Sequence, residues 1–412
     1  MAETIKIIAL LVNDEYGSSK GGISTVNREV AKLLRKGNVV VYNTVLYPPP
    51  KEDIECAESD GVILLTPFRD PDDPREPCIE WLTYDHMTRY RNLPERVDII
   101  VGHFPITSQA AKNISARYPD AKTVLCNHII PFDTDHFKGN AAAIAADGKE
   151  KRLTKEAKDV HAVFSVGKRI HNHYDNHYRV HDPPISHHLF LPRPSETFAN
   201  TNVRYGVGEK IVLTVGRVTR VERLKGLDIA AKAMGKVVEK IPNARLRVRG
   251  IASDDYARSK KILEDNLDSG KLTPTLLPYG TEREIIQDIK QAHLVLMPSR
   301  AEPFGMVGLE AIVAGIPVLI SDQSGLADLM RELMEKGKVS ADFRHKIVTT
   351  SVRESDLEQS AQIWADKIVD ILDDMSLKSE FKKAAQFKKE LLASKYWEES
   401  HKAFLEACCG TK

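Results

Sequence analysis

Short, β-branched, almost uncharged runs alternate with longer amphipathic stretches along most of this chain, and that alternation leaves few folds open. The first half offers "IKIIALLV", "VVVYNTVLY", "GVILLT", "VDIIVGH", "KTVLCNHII" and "HAVFSVG"; the second offers "KIVLTVG", "ARLRVRG", "LTPTLLPYG", "LVLMPS" and "PVLISD". Several are nearly continuous in apolar residues, as strands covered on both faces must be. Helical patterns lie between them. After "KGGIS", Ile23, Val26, Val30, Leu33 and Leu34 recur at helical spacing until Gly37 stops the run. The expected class is α/β, with parallel doubly wound sheets.

That many strands exceed one comfortable sheet, and 412 residues suggest two or three domains. The periodicity breaks in "HHLFLPRPSETFANTNVRYGVGEK", which places a linker at about 190–208. The expected division is an N-terminal Rossmann-like domain over 1–195, a second over 209–385, and a helical segment over 386–412 that packs back towards the first. Within the second domain, Ser355 and Glu358 have capping-box spacing ahead of Leu357, Ala361, Trp364, Ile368 and Ile371 on one helix face.

Composition narrows the function. With 59 basic against 58 acidic residues, bulk electrostatics gives no hold on nucleic acid, so no nucleic-acid partner is expected. No apolar run reaches the roughly 18 residues of a membrane span, and "MAETIKIIAL" lacks a basic signal-peptide start. The cysteines, Cys56, Cys78, Cys126, Cys408 and Cys409, are scattered without a C-x-x-C, which points to a reducing cytoplasm.

Two stretches carry the chemistry. In "TVGRVTRVERLKGLDIAAKAM" a strand ends at Gly216, Arg217 follows, and Lys225-Gly226 opens a helix, a suitable edge for phosphate. In "PSRAEPFGMVGLEAIVAGIPVLIS" a strand leads into a loop, then into a helix from about Val307 to Val313 closed by Gly315. Backbone N–H groups at such a helix start suit an oxygen-rich ligand. Gly305 and Gly308 would let it come close to the backbone. Glu302 in the loop and Glu310 one turn into the helix would accept hydrogen bonds from sugar and ribose hydroxyls. Bare phosphate would be repelled by them.

These stretches resemble the retaining GT-B glycosyltransferases, family 4 in particular. Glu302 and Glu310 match the E-x7-E motif, "VGRV…LKGLDIAAKA" is similar to the phosphate-binding strand-loop-helix, and "KGGISTVNREVAKLL" is similar to the N-terminal glycine loop. The resemblance covers most of the chain and is weakest over 50–95 and 171–205. It implies two facing Rossmann-like domains with a nucleotide sugar in the cleft between them. It also implies that Arg217 and Lys225 hold the diphosphate and neutralise charge as it leaves. Gly216 would lie beside them, and Gly21 and Gly22 would close over the phosphates. Glu302 would bind the donor sugar with the backbone N–H groups of Phe304, Gly305, Met306 and Val307. Glu310 would bind ribose, and residues 277–280 would approach the base. His128 in "CNHIIPF" matches the histidine placed beside the reacting sugar, and His103 in "VGHFP" a strand-end histidine on the acceptor side.

The implied reaction moves a sugar from a nucleoside diphosphate, UDP by default with GDP and ADP as alternatives, to an acceptor hydroxyl on a glycan, small molecule or lipid. No metal or other cofactor is implied. A phosphorylase or synthase of the same fold, or a non-catalytic nucleotide-sugar module, are the rival readings. Asp70-Pro71-Asp72 and Asp133-Thr134-Asp135 satisfy the D-x-D pattern of metal-dependent enzymes, but three-residue matches are cheap in an acid-rich chain. "RIHNHYDNHYRVHDPPISHH" places His173, His177 and His181 at i, i+4 spacing. With no acid or cysteine at complementary spacing, it reads as a solvated surface.

Overall fold

The computed structural model describes residues 6–410 except 18–20, 205, 207, 219–222, 268–269 and 271; the side chains of residues 217 and 218 also lie outside the described part. The chain forms two compact units. Unit 1 comprises 1–130, 147–193 and 397–412; unit 2 comprises 131–146 and 194–396.

Unit 1 holds a seven-stranded parallel sheet of β1 (Ile8–Leu11), β2 (Val40–Thr44), β3 (Val62–Leu65), β4 (Ile99–Phe104), β5 (Lys122–Asn127), β6 (Ala162–Val166) and β7 (His187–Phe190). The order is β3-β2-β1-β4-β5-β6-β7. In such a doubly wound sheet the strand order reverses between β1 and β4, and ligands bind beyond the strand ends at that switch. Unit 2 repeats the plan with β8 (Lys210–Val218), β9 (Ala244–Ile251), β10 (Thr275–Pro278), β11 (Leu294–Met297), β12 (Val318–Ser321) and β13 (Ile347–Val348), ordered β10-β9-β8-β11-β12-β13. Its switch lies between β8 and β11. Every pairing in both sheets is parallel.

The long apolar runs form the central strands for the expected reason. β4, β6, β11 and β12 are buried at every position. The helix Gly22–Lys36 stops at Gly37, with Val26, Val30 and Leu34 buried. The helix Leu357–Leu372 buries Ala361, Trp364, Ile368 and Ile371 against the helix Leu227–Lys240.

Five points differ from expectation. β7 lies in what reads as the start of the linker, because His187 and His188 interrupt the apolar pattern of an edge strand. β13 has only two residues, too few for a periodic signal. The capping box at Ser355 and Glu358 does not form: Asp356 is the N-cap, Ser355 donates to Asp356 Oδ1, and Glu358 pairs with Lys232 and Lys236. Residues 131–146 fall in unit 2 rather than with the N-terminal domain, and Phe137 packs there with Leu224 and Ala301. The C-terminal boundary falls at 396/397: the helix Asp374–Ser394 packs on the helix Met306–Ala314 within unit 2, while Glu398–Cys409 packs on β7 within unit 1.

Candidate active site

In unit 2 the ends of the two strands at the switch carry the expected residues. Pairing of β8 with β9 shifts between Val215 and Val218, so the backbone leaves the ladder at Gly216 and Arg217. A Cβ on Gly216 would lie 3.7 Å from the Lys225 side chain, so the strand end and the lysine stem run side by side. The side chain of Arg217 lies outside the described residues. Gly226 is left-handed at φ 66°, and a Cβ there would sit 2.0 Å from the carbonyl oxygen of Pro298. Only glycine permits that approach, which sets Lys225 against the end of β11.

There Lys225 Nζ donates to Glu302 Oε2 at 2.6 Å, and Ser299 Oγ donates to the same oxygen at 3.2 Å. The pair is half-buried, with 30% and 14% of the two side chains exposed. Neighbouring main chain holds Glu302 in place: its N–H donates to Gln323 O at 3.0 Å, and its carbonyl accepts from Gly325 N–H at 2.9 Å. Gly305, at φ 112°, then starts the helix Met306–Ala314, and no side chain among the described residues caps it. The first N–H groups of that helix, at Met306 and Val307, are thus open to a ligand at the positive end of the helix dipole. Phe304 turns its ring into the core, leaving its backbone at the loop.

Glu310 sits one turn further along the same helix. Burial and the charge of Glu282 push its carboxyl up to about 8, so it is largely protonated at neutral pH. Gly308 serves packing rather than ligand approach: a Cβ there would meet Leu326 at 2.6 Å and Ile320 at 3.0 Å.

One clamp has no counterpart in the motif reading. Arg300, 2% exposed, grips Asp228 with two hydrogen bonds of 2.7 and 2.9 Å and donates to Arg223 O at 2.8 Å. It ties the loop carrying Lys225 to the loop carrying Glu302. The signal was present as an arginine in "PSRAEPFG" and an aspartate in "KGLD", but nothing in the sequence pairs the two.

In unit 1, the ends of β4 and β5 bring His103 and His128 together. His103 Nδ1 lies 2.9 Å from His128 Nε2, and His103 Nε2 lies 2.9 Å from Asn27 Oδ1. Asn27 Nδ2 donates to Asn43 Oδ1 at 2.7 Å, and Asn43 Nδ2 donates to Thr44 O at 2.7 Å. The backbone carbonyl fixes the whole chain of donors. Asn43 must offer its NH2 to the carbonyl, so its oxygen faces Asn27. The oxygen of Asn27 then accepts from His103 Nε2–H, so His103 Nδ1 accepts from His128 Nε2–H. His128 is left neutral with Nδ1 as an acceptor. Burial pushes both imidazoles below their ordinary range, His103 to about 3, and the neighbouring His103 adds to the effect on His128.

Gly21, at φ 132°, precedes the helix Gly22–Lys36 without a side-chain cap. Asn27 lies on that same helix, so the glycine loop and the histidine relay share one element. Neither asparagine belongs to a motif: Asn27 lies on an apolar helix face and Asn43 within β2.

Residues 10–404 match the family described as "Family 4 Glycosyltransferase in conflict systems". The chain belongs to this family. A D-inositol 3-phosphate glycosyltransferase of Nocardia farcinica is 26% identical over 275 residues, 64% of this chain and 54% of that one. The chain thus spans about half the length of that curated relative. Among solved structures, the sucrose-phosphate synthase of Thermosynechococcus elongatus superposes with a TM-score of 0.63 at 17% identity, over 97% of this chain and 99% of that one. HepE of Anabaena, solved with UDP-glucose, superposes with 0.65 at 14% identity, over 97% and 100%. These likenesses speak for the fold, which is GT-B, as the family membership leads one to expect. Among the described residues, no helix is long and apolar enough to cross a membrane.

Proposed function

We propose that the protein transfers a glycosyl group from a nucleoside diphosphate sugar, with UDP as the nucleotide, to an acceptor hydroxyl with retention of anomeric configuration. The observation that carries this reading is the Lys225–Glu302 pair beside the uncapped start of the helix Met306–Ala314. It puts a cation, a hydroxyl-binding acid and open N–H groups within one junction. In this reading Lys225 turns to the diphosphate with Arg217, while Glu302 and the N–H groups of Phe304, Gly305, Met306 and Val307 take the sugar. Glu310 takes the ribose, Gly216 gives the diphosphate access to the strand end, and Gly21 and Gly22 offer their backbone to the phosphates. His128 accepts a hydrogen bond through Nδ1, with His103 as its positioning residue.

In the transfer, the bond from the anomeric carbon to the β-phosphate oxygen breaks and its electron pair leaves with the phosphate. The acceptor oxygen forms the new bond on the same face, and its proton passes to the departing phosphate oxygen. Lys225 and Arg217 stabilise the charge that develops there. The proposed transfer uses no metal and should persist in a chelator. The likeness to HepE, solved with UDP-glucose, supports a UDP-sugar. The five free cysteines support a cytoplasmic setting.

The test is a thermal-shift screen of UDP, GDP, ADP and their sugar conjugates, with Glu310→Ala as control. A ligand present at 100 times its dissociation constant adds about 2.7 kcal/mol if it binds the folded state alone. A shift with UDP compounds that shrinks in the variant is expected. No shift with any nucleotide would remove the donor-binding claim.

A further inference from the structure

The helix Lys168–Arg179 and the first residue of β7 bring together three side chains that glycosyl transfer does not use. His171 and Asp175 lie one turn apart on the helix, and His187 faces them from the strand. One ligand atom from each lies within 4.8 Å of the other two. The side chain of His187 is 4% exposed, yet its Nδ1 has no hydrogen-bond partner. The nearest carboxylate oxygen, Asp175 Oδ1, stands at 3.8 Å, too far for a hydrogen bond.

A buried ring nitrogen left without a partner is costly, and this one faces the carboxylate of Asp175 beside a second imidazole. The other nitrogen of His187, Nε2, meets Ser165 Oγ on β6 at 2.8 Å. In the tautomer whose Nε2–H donates to that oxygen, Nδ1 presents its lone pair for ligation, as metal-bound histidines commonly do.

Other contacts leave the three free for the task. Arg179 engages Asp175 through Oδ2, so Oδ1 keeps its place towards His187. The ring of His171 stacks on that of His187 at 4.4 Å and is half-buried, so it can turn towards the same point. Around an ion bound at about 2.0–2.1 Å, tetrahedral ligand atoms stand about 3.3 Å apart, so the three ligand atoms, now within 4.8 Å of one another, would draw together as the ring of His171 turns.

We propose that His171, Asp175 and His187 form a site for a divalent transition-metal ion of the zinc class, with solvent as the remaining ligand. Two imidazole nitrogens and one carboxylate suit zinc, cobalt or nickel; calcium and magnesium demand oxygen ligands throughout. The ion pins the helix to β7, an edge strand that pairs with β6. The histidines that sequence spacing favours are committed elsewhere: His173 Nε2 pairs with Glu150, and His177 Nδ1 donates to His173 O at 2.9 Å. β7 lies two strands from β5, whose end carries His128, so this site and the donor site succeed or fail separately.

The test uses the full chain, stripped with a chelator and titrated with Co2+, then with Zn2+. One equivalent of Co2+ should give the intense visible bands of a four-coordinate site, Zn2+ should displace it, and the melting temperature should rise. Ser165→Ala should weaken binding by about 10–100-fold. Asp175→Asn, at a half-buried position that leaves the fold intact, should abolish the bands, as should His187→Gln. The double variant His173→Gln with His177→Gln should bind as the wild type does. Absence of saturable Co2+ binding overturns the proposal. So does binding that survives Asp175→Asn but falls in the double variant, which would mark an adventitious ion on surface histidines.

Discussion

The junction around Lys225 and the relay ending at His128 each occupy the strand ends of a doubly wound sheet, but they rest on different interactions. In unit 2 the groups are charged and paired: half-buried Lys225 with Glu302, buried Arg300 with Asp228. In unit 1 they are neutral and buried, and a chain of amides runs from the Thr44 carbonyl to fix the tautomer of His128. A charged site shows in the residue types themselves. A relay of neutral groups depends on which side chains the fold brings into register, and sequence spacing says little about that.

The largest effect should come from breaking the clamp beneath the charged site. Asp228→Ala leaves Arg300 buried without its carboxylate and should cost about 3–5 kcal/mol in urea unfolding. A cost below about 1 kcal/mol would mean water reaches Arg300. Next, Lys225→Ala should slow donor hydrolysis about 10²–10³-fold, the range for removing one group that stabilises a developing anion, while unfolding shifts far less. An unchanged rate would take Lys225 out of the chemistry.

On the neutral side, Asn27→Leu leaves His103 Nε2–H without an acceptor and should cost about 1–3 kcal/mol. Nitrogen NMR should find His128 Nδ1 unprotonated in the wild type at neutral pH; a protonated Nδ1 there would refute the relay.

The effect smallest per step is that of a single pH unit. Because the folded-state pKa of Glu310 is raised from 4.5 to about 8, its contribution to stability is full below about 4.5 and is lost as pH rises towards 8. Ribose hydroxyls favour the carboxylate, so nucleotide binding should release a proton and tighten with pH up to about 8, by at most about tenfold per unit. Calorimetry in buffers of different ionisation heat reads the proton directly. Glu310→Gln should flatten the slope, and an identical slope in that variant would assign the proton elsewhere.

The same contrast explains what the sequence made legible. The apolar runs gave the central strands, and the helix Met306–Ala314 with its Gly315 stop stood within one residue of expectation at each end. β7 was hidden because an edge strand needs few apolar residues, and its two histidines looked like a solvated surface. Segment 131–146 carries no motif to set it apart from the rest of 1–195; the packing of Phe137 on Leu224 and Ala301 decides its unit. In unit 2 the glutamates and Lys225 announced themselves by spacing, whereas Arg300 and Asp228, 72 residues apart, did not. The histidines at 103 and 128 were visible as strand-end residues. Their asparagine partners, which determine what the histidines can do, were not.

The helix Glu398–Cys409 also governs the order in which the chain can be completed as it leaves the ribosome. Phe404 packs edge-on against Phe164 and Phe190, and Lys122 Nζ donates to the carbonyls of Ala407 and Gly410 at 3.3 and 2.6 Å. Unit 1 is therefore sealed by a helix that is made only after unit 2. Every strand and helix of the second unit is already synthesised by then, so the usual N-to-C sequence of domain maturation is inverted. A polypeptide stalled or cleaved before residue 397 would carry a finished second unit and a first unit with two aromatic rings uncovered, which makes it a natural target for chaperone capture.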